Sequence, residues 1–137
     1  MAIDHTRALR RAVVYLLRNT SAVTDYVGQR VYGMRVPADA DWPFIRYGAA
    51  FSQGFEPTGW DGSEHDITLT VQSHREDTCA LVAAAVQQAL EDADIPLEGS
   101  VLLASFDWVR TQLVLMPDTD SDFQAIMQFR VETYETV

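Results

Sequence analysis

The segment "EHDITLTVQS", residues 64–73, alternates with a period of two: Ile67, Leu69 and Val71 fall on one side, and Asp66, Thr68, Thr70 and Gln72 on the other. "FQAIMQFRVETYE", residues 123–135, does the same: Phe123, Ala125, Met127, Phe129 and Val131 oppose Gln124, Gln128, Arg130 and Glu132. Side chains on successive strand residues point to opposite faces, so this pattern specifies half-buried strands. A sheet that is apolar on one face must cover that face with another layer.

Two helical patterns supply the cover. From about Asp4 to Asn19, Leu9, Ala12, Val13, Leu16 and Leu17 fall at helical spacing; Arg7, Arg11 and Arg18 share another side, with Arg10 beside them. Asp4 is read as its N-cap, and Ser21 as the cap of a short helix, "AVTDYV", ended by Gly28. The mixture of charged and apolar residues marks the first segment as a helix of the mature protein and not a signal peptide. A longer, Ala-rich helix is expected from about Arg75 to Ala93, with Val82, Ala85, Val86, Ala89 and Leu90 as its buried stripe. Ser73 and Glu76 have capping-box spacing, and Pro96 prevents continuation.

Between these lie further β segments. Val31 to Val36 is short and β-like, "PADAD" is a turn or loop, and "FIRYGAAF" is a strand that Pro43 places at or just after a sheet edge. "FSQGFEPTGWDGS", 51–63, is a long loop or the tip of a hairpin. "VLLASFDWVRTQLVLMP" is one bent strand or two, and its alternation slips near Arg110 to Gln112, where a bulge is expected. The fold class is α+β: a twisted, mainly antiparallel sheet with an N-terminal helix and a long Ala-rich helix packed on it, plus a long hairpin or loop. The 137 residues fit one domain, 1–137, and no apolar run is long enough to span a bilayer.

The charge narrows function. The net charge is −10 and all ten basic residues are Arg. An acidic chain is poorly suited to holding a phosphate backbone. Arg favours bidentate pairing with carboxylates at protein interfaces. Glu91, Asp92 and Asp94 crowd the C-terminal end of the Ala-rich helix, where negative charge opposes the helix dipole. A neighbouring copy that brings its Arg7, Arg11 and Arg18 face to that end would relieve the conflict.

Catalytic patterns are missing from the sequence: there is no nucleophile elbow, P-loop, zincin helix or Gly-rich dinucleotide turn. The best metal candidate is "DGSEHD", but Glu64 and Asp66 point to one strand face and His65 to the other, as at a solvated strand end. His74 beside Asp77 reads as helix-start polarity, and His5 has no evident partner. The "DTDSD" turn, with Asp118, Asp120 and Asp122, lacks the Gly and closing Glu of a calcium loop. Cys79, the single cysteine, is expected to be a buried small residue on the Ala-rich helix. No catalytic residue, metal or cofactor is expected.

In order along the chain, "SAVTDYVGQRVY", "WPFIRYG", "EHDITLTVQS", the Ala-rich helix, "PLEG" and "FRVET" resemble the tail terminator (tail-completion, head–tail joining) proteins of long-tailed phages and gene transfer agents. The resemblance covers nearly the whole chain and rests on this order, since none of the pieces is a sharp motif alone. It implies a non-enzymatic virion protein at the head-proximal end of the tail, made in the bacterial host cytoplasm. It implies a hexameric ring of this chain on the last ring of the tail tube protein, facing a head-side connector or stopper. Six globules of roughly 14 Å radius of gyration leave a hole on the order of 30 Å, enough for duplex DNA to pass. An acidic lumen would repel phosphate, with Asp118, Asp120, Asp122, Gln128 and Glu132 as candidate lining residues. Partner contacts are expected from the aromatic and Arg-rich segment 28–48, notably Arg35 and Trp42, and from Phe55 and Trp60 in the loop. A head-side neck ring, a tail-tube subunit and a ligand-binding or metal-dependent α+β enzyme are the competing readings.

Overall fold

Both alternating segments are strands in the computed structural model, which describes residues 5–55, 62–92, 97, 101–117 and 121–135. The elements run α1 (His5–Arg18), α2 (Ser21–Val27), β1 (Val31–Tyr32), β2 (Phe44–Phe55), β3 (Gly62–Ser73), α3 (Glu76–Asp92), β4 (Val101–Leu115) and β5 (Phe123–Glu135). They form one five-stranded sheet in the order β1-β2-β3-β5-β4. Among the described residues only β1–β2 is parallel; the other pairs are antiparallel. The α+β expectation is met.

The register brings the two alternating faces together: Ile67 opposes Phe129, Leu69 opposes Met127 and Val71 opposes Ala125. These six side chains are buried, and Ile45 and Tyr47 of β2 extend their layer. The helices close over that face. Cys79, Val82, Ala83, Val86 and Leu90 of α3 are buried at helical spacing, joined by Leu9, Val13 and Leu17 of α1 and Val23 and Val27 of α2. Full burial of a Val or Leu side chain contributes about 1.5–3 kcal/mol, so this single core dominates stability. Ala85 and Ala89, expected in the stripe, are only half-buried and flank it.

Several local expectations are corrected. Ser21 is the first residue of α2 and Thr20 its N-cap, without a side-chain cap bond. Gly28 does end that helix, with φ +58°, and its N–H donates to Thr24 O at 2.8 Å. Ser73 forms no capping box: its Oγ accepts the Arg75 N–H at 3.2 Å, in the connection just before α3. The β-like segment 31–36 pairs only at Val31 and Tyr32. The segment 51–63 belongs to a hairpin: β2 reaches Phe55 and β3 starts at Gly62, while the connecting residues 56–61 lie outside the described residues. β4 is one long strand with register shifts between Leu103 and Ser105 and between Trp108 and Arg110, the second at the edge of the expected slip. β2 shifts between Tyr47 and Ala50; there a Cβ on Gly48 would meet Thr68 O at 3.2 Å, a tight contact that marks the close approach of the two backbones.

Candidate assembly surfaces

Three of the four arginines of α1 lie on its solvent side. Arg7, Arg10 and Arg11 are exposed, and Arg18 is half-buried in the last turn, where its charge suits the helix dipole. Arg18 Nη2 donates to Val31 O at 2.5 Å, so a side chain occupies the outer edge of β1 where a further strand would bond. Arg10 lies across to Gly33; a Cβ built there would sit 3.5 Å from Nη1. Between α1 and β1 these residues border an open groove of about 480 Å³, lined by Ala8, Ala12, Val14, Tyr15 and Val31 with Arg10, Arg11 and Arg18.

A second cluster joins three connections at one end of the sheet. Trp42 stacks on His74, with ring centroids 4.4 Å apart and planes 12° from parallel, and meets Phe44 edge-on at 5.3 Å. His74 Nδ1 lies 2.6 Å from Asp122 Oδ1. His74 therefore pairs with Asp122, 48 residues away, and not with Asp77. Tyr32 meets Phe44 edge-on at 6.0 Å. Phe44 is buried, whereas Trp42 and Tyr32 are half-buried, so this part of the 28–48 segment serves packing first. Arg35, in the connection that follows β1, is exposed.

The two histidines that sequence reading left unconnected meet under the helices. Thr133 Oγ1 lies 2.6 Å from His5 Nδ1 and 2.9 Å from His65 Nε2. The imidazole planes are 24° apart with centroids at 6.4 Å. A hydroxyl has one hydrogen, so at least one ring nitrogen must be the donor here. Burial, with His5 beside it, pushes the His65 pKa from 6.5 down to about 4. Cys79 is buried as expected, and burial pushes its thiol up to about 11, which makes it unreactive.

The sheet face away from the helices is polar. Glu64 and Asp66 both flank Arg130, at 3.2 and 3.3 Å, and Glu64 stands opposite Glu132 across the strands. Gln128 lies between Thr68 and Arg110 on the same face. Among the described residues, no group of three or more His, Cys, Asp or Glu is placed to hold a metal.

The outer edge of β4 has no strand partner among the described residues. Trp108, Val109, Leu113 and Leu115 along it are 39–50% exposed. A fifteen-residue edge strand with four exposed apolar side chains is a template for association, which natural proteins cover or blunt.

The family model of tail completion protein gp17 matches residues 11–134. The chain belongs to this tail completion family. No curated protein matches it. Among solved structures it is similar in fold to a chain described as "Virion of native gene transfer agent (GTA) particle", with a TM-score of 0.85 over 97% of this chain and 99% of that one, at 22% identity.

In this tail completion domain the expected interface residues stand on several elements. Arg7 and Arg11 sit on α1, and Arg18 is turned inward to β1. Glu91 is exposed near the end of α3 and accepts from Gln87 Nε2 at 3.4 Å; Asp92 closes the helix. Phe55 closes β2, and Gln128 and Glu132 lie on the polar sheet face. Asp122 is engaged with His74. Trp60, Asp94, Asp118 and Asp120 lie outside the described residues. The β4 edge was missed. Its signal was present in residues 101–116, where the consecutive apolar residues Val101, Leu102, Leu103 and Leu113, Val114, Leu115 break the alternation of a strand covered on one face only.

Proposed function

We propose that the protein is a structural, non-enzymatic component of a phage-type virion tail. Copies assemble as a ring, expected to be hexameric, at the head-proximal end of the tail tube. The ring ends tube growth and offers a surface to the head-side connector or stopper. Family membership over residues 11–134 carries this reading. The fold likeness to a chain of a gene transfer agent virion supports it. The architecture suits it too: one face is closed by helices, the opposite face is polar, and the β4 edge leaves apolar side chains for a partner to cover.

Duplex DNA would pass through the lumen without being held. Gln128, Glu132, Glu64 and Asp66 share a sheet face with Arg130 and Arg110, and this mixture of acidic, basic and neutral polar groups suits a lining that lets DNA pass.

Electron microscopy of particles from cells lacking the gene tests the reading. Tails of excessive, uncontrolled length, detached from heads, are the expected result. Tails of normal length beside unattached heads would assign the protein to a head-side neck ring instead. Normal particles would overturn the structural role.

A further inference from the structure

The ten arginines are unevenly placed. Seven lie within residues 1–46 with four acidic residues, giving that part a net charge of +3; the rest of the chain has three arginines and sixteen acidic residues, a net charge of −13. Three of these seven arginines come together in the fold. Arg10, Arg11 and Arg18 border one groove between α1 and β1, whose floor is apolar: Ala8, Ala12, Val14 and Val31. Three guanidinium groups border about 480 Å³ of open space, in a part of the chain whose net charge is opposite in sign to that of the whole. Among the described residues Arg18 Nε makes no hydrogen bond, although it is shielded from solvent. Tyr15, 65% exposed at the rim, adds a flat amphipathic surface of the type enriched in interfaces.

The opposite charge stands on another element. The last turn of α3 has no basic residue, and its sequence ends in Glu91 and Asp92. The helix dipole and the exposed Glu91 carboxylate have the same sign there, so an external cation stabilises this end more than an ordinary surface site. Arginine pairs with carboxylates in bidentate geometry and loses little on desolvation, so a groove of arginines over an apolar floor is suited to receive them.

Resting on the ring reading, we infer that the α1–β1 groove is the subunit contact: it receives the acidic C-terminal end of α3 from a neighbouring copy of this chain. The two surfaces are different patches of one molecule, so the contact is head-to-tail and repeats around a closed ring. The net charge of −10 repels copies in general, and the local complementarity selects this approach over others.

Sedimentation equilibrium of the full chain tests it, using Arg10→Glu with Arg11→Glu on one side and Glu91→Arg with Asp92→Arg on the other. Each double variant is expected to lose at least about tenfold in association constant, a change worth about 1.4 kcal/mol. A 1:1 mixture of the two is expected to regain it, because each variant then meets opposite charge on both sides. Arg10→Gln with Arg11→Gln serves if charge reversal perturbs folding, and should weaken association in the same direction. Unchanged association in both double variants, loss in the groove variant that the mixture does not restore, or a wild type monomeric at all concentrations would overturn the contact. Overlong tails in cells lacking the gene, together with any of these outcomes, would leave the ring reading standing and remove only this contact. Normal particles would remove the ring reading itself.

Discussion

At the scale of single residues, the buried polar groups set two expectations. His65 is fully buried with its pKa lowered to about 4, whereas in the unfolded chain it titrates near 6.5. Below about pH 6.5 the unfolded state binds a proton that the folded state refuses, so stability falls as pH drops from about 6.5 to 4 and then levels off for this group. The loss is at most ~3 kcal/mol. Urea midpoints measured across that range should show the slope in the wild type and a flatter one in His65→Asn, which is also less stable at pH 7 because Thr133 loses a partner. An equal slope in both would assign the acid sensitivity to other groups. Tyr47 presents the reverse case. Its ring is in the core, but among the described residues its hydroxyl has no hydrogen-bond partner, and burial pushes its pKa well above the ordinary phenol value. An unpaired buried hydroxyl costs about 1–3 kcal/mol. Tyr47→Phe is therefore expected to leave stability unchanged or to raise it by ~1 kcal/mol, seen as an increase in Tm.

At the scale of elements, the two edges of the sheet behave differently. At β1, Arg18 and α1 close the outer edge, which prevents strand addition there. At β4 nothing among the described residues covers the edge, and Leu113 and Val109 stand out from it. Exposed positions of this kind contribute within about ±0.5 kcal/mol to monomer stability. Leu113→Lys is therefore expected to leave Tm nearly unchanged while reducing attachment of the protein to tails, read by co-sedimentation with tails. A large drop in Tm would show instead that Leu113 belongs to the core. Sequence reading located α1, α3, β3 and β5 within one or two residues, because each has a single period and a clear stop. It left 51–63 and 101–117 open, since length alone does not separate a long strand from two short ones or from a loop. Pairing with β3 and β5 decides these cases.

At the scale of the whole molecule, charge sets how the protein meets nucleic acid. A net charge of −10, with four of the ten arginines on α1 and the other six spread over the sheet and its connections, is poorly suited to form a continuous positive track along which a duplex backbone would lie. Duplex DNA is expected to show no mobility shift with the protein at ~150 mM salt. A salt-sensitive shift at lower ionic strength that disappears in Arg10→Glu with Arg11→Glu would instead make the α1 groove a phosphate contact, at odds with its role between subunits.

By itself the sequence determined the fold class, the helix-covered face of β3 and β5, the inert buried Cys79, and the orientation of His65 away from Glu64 and Asp66. All of these follow from local periodicity, which the backbone geometry of helix and strand converts directly into faces. Only the tertiary structure decided that His5 meets His65 through Thr133, that His74 takes Asp122 instead of Asp77, that Arg18 turns inward to Val31, and that β5 inserts between β3 and β4 to leave β4 at an open edge. Each joins residues distant in sequence, and their meeting depends on strand order and register, which the periodicity of any one segment does not encode.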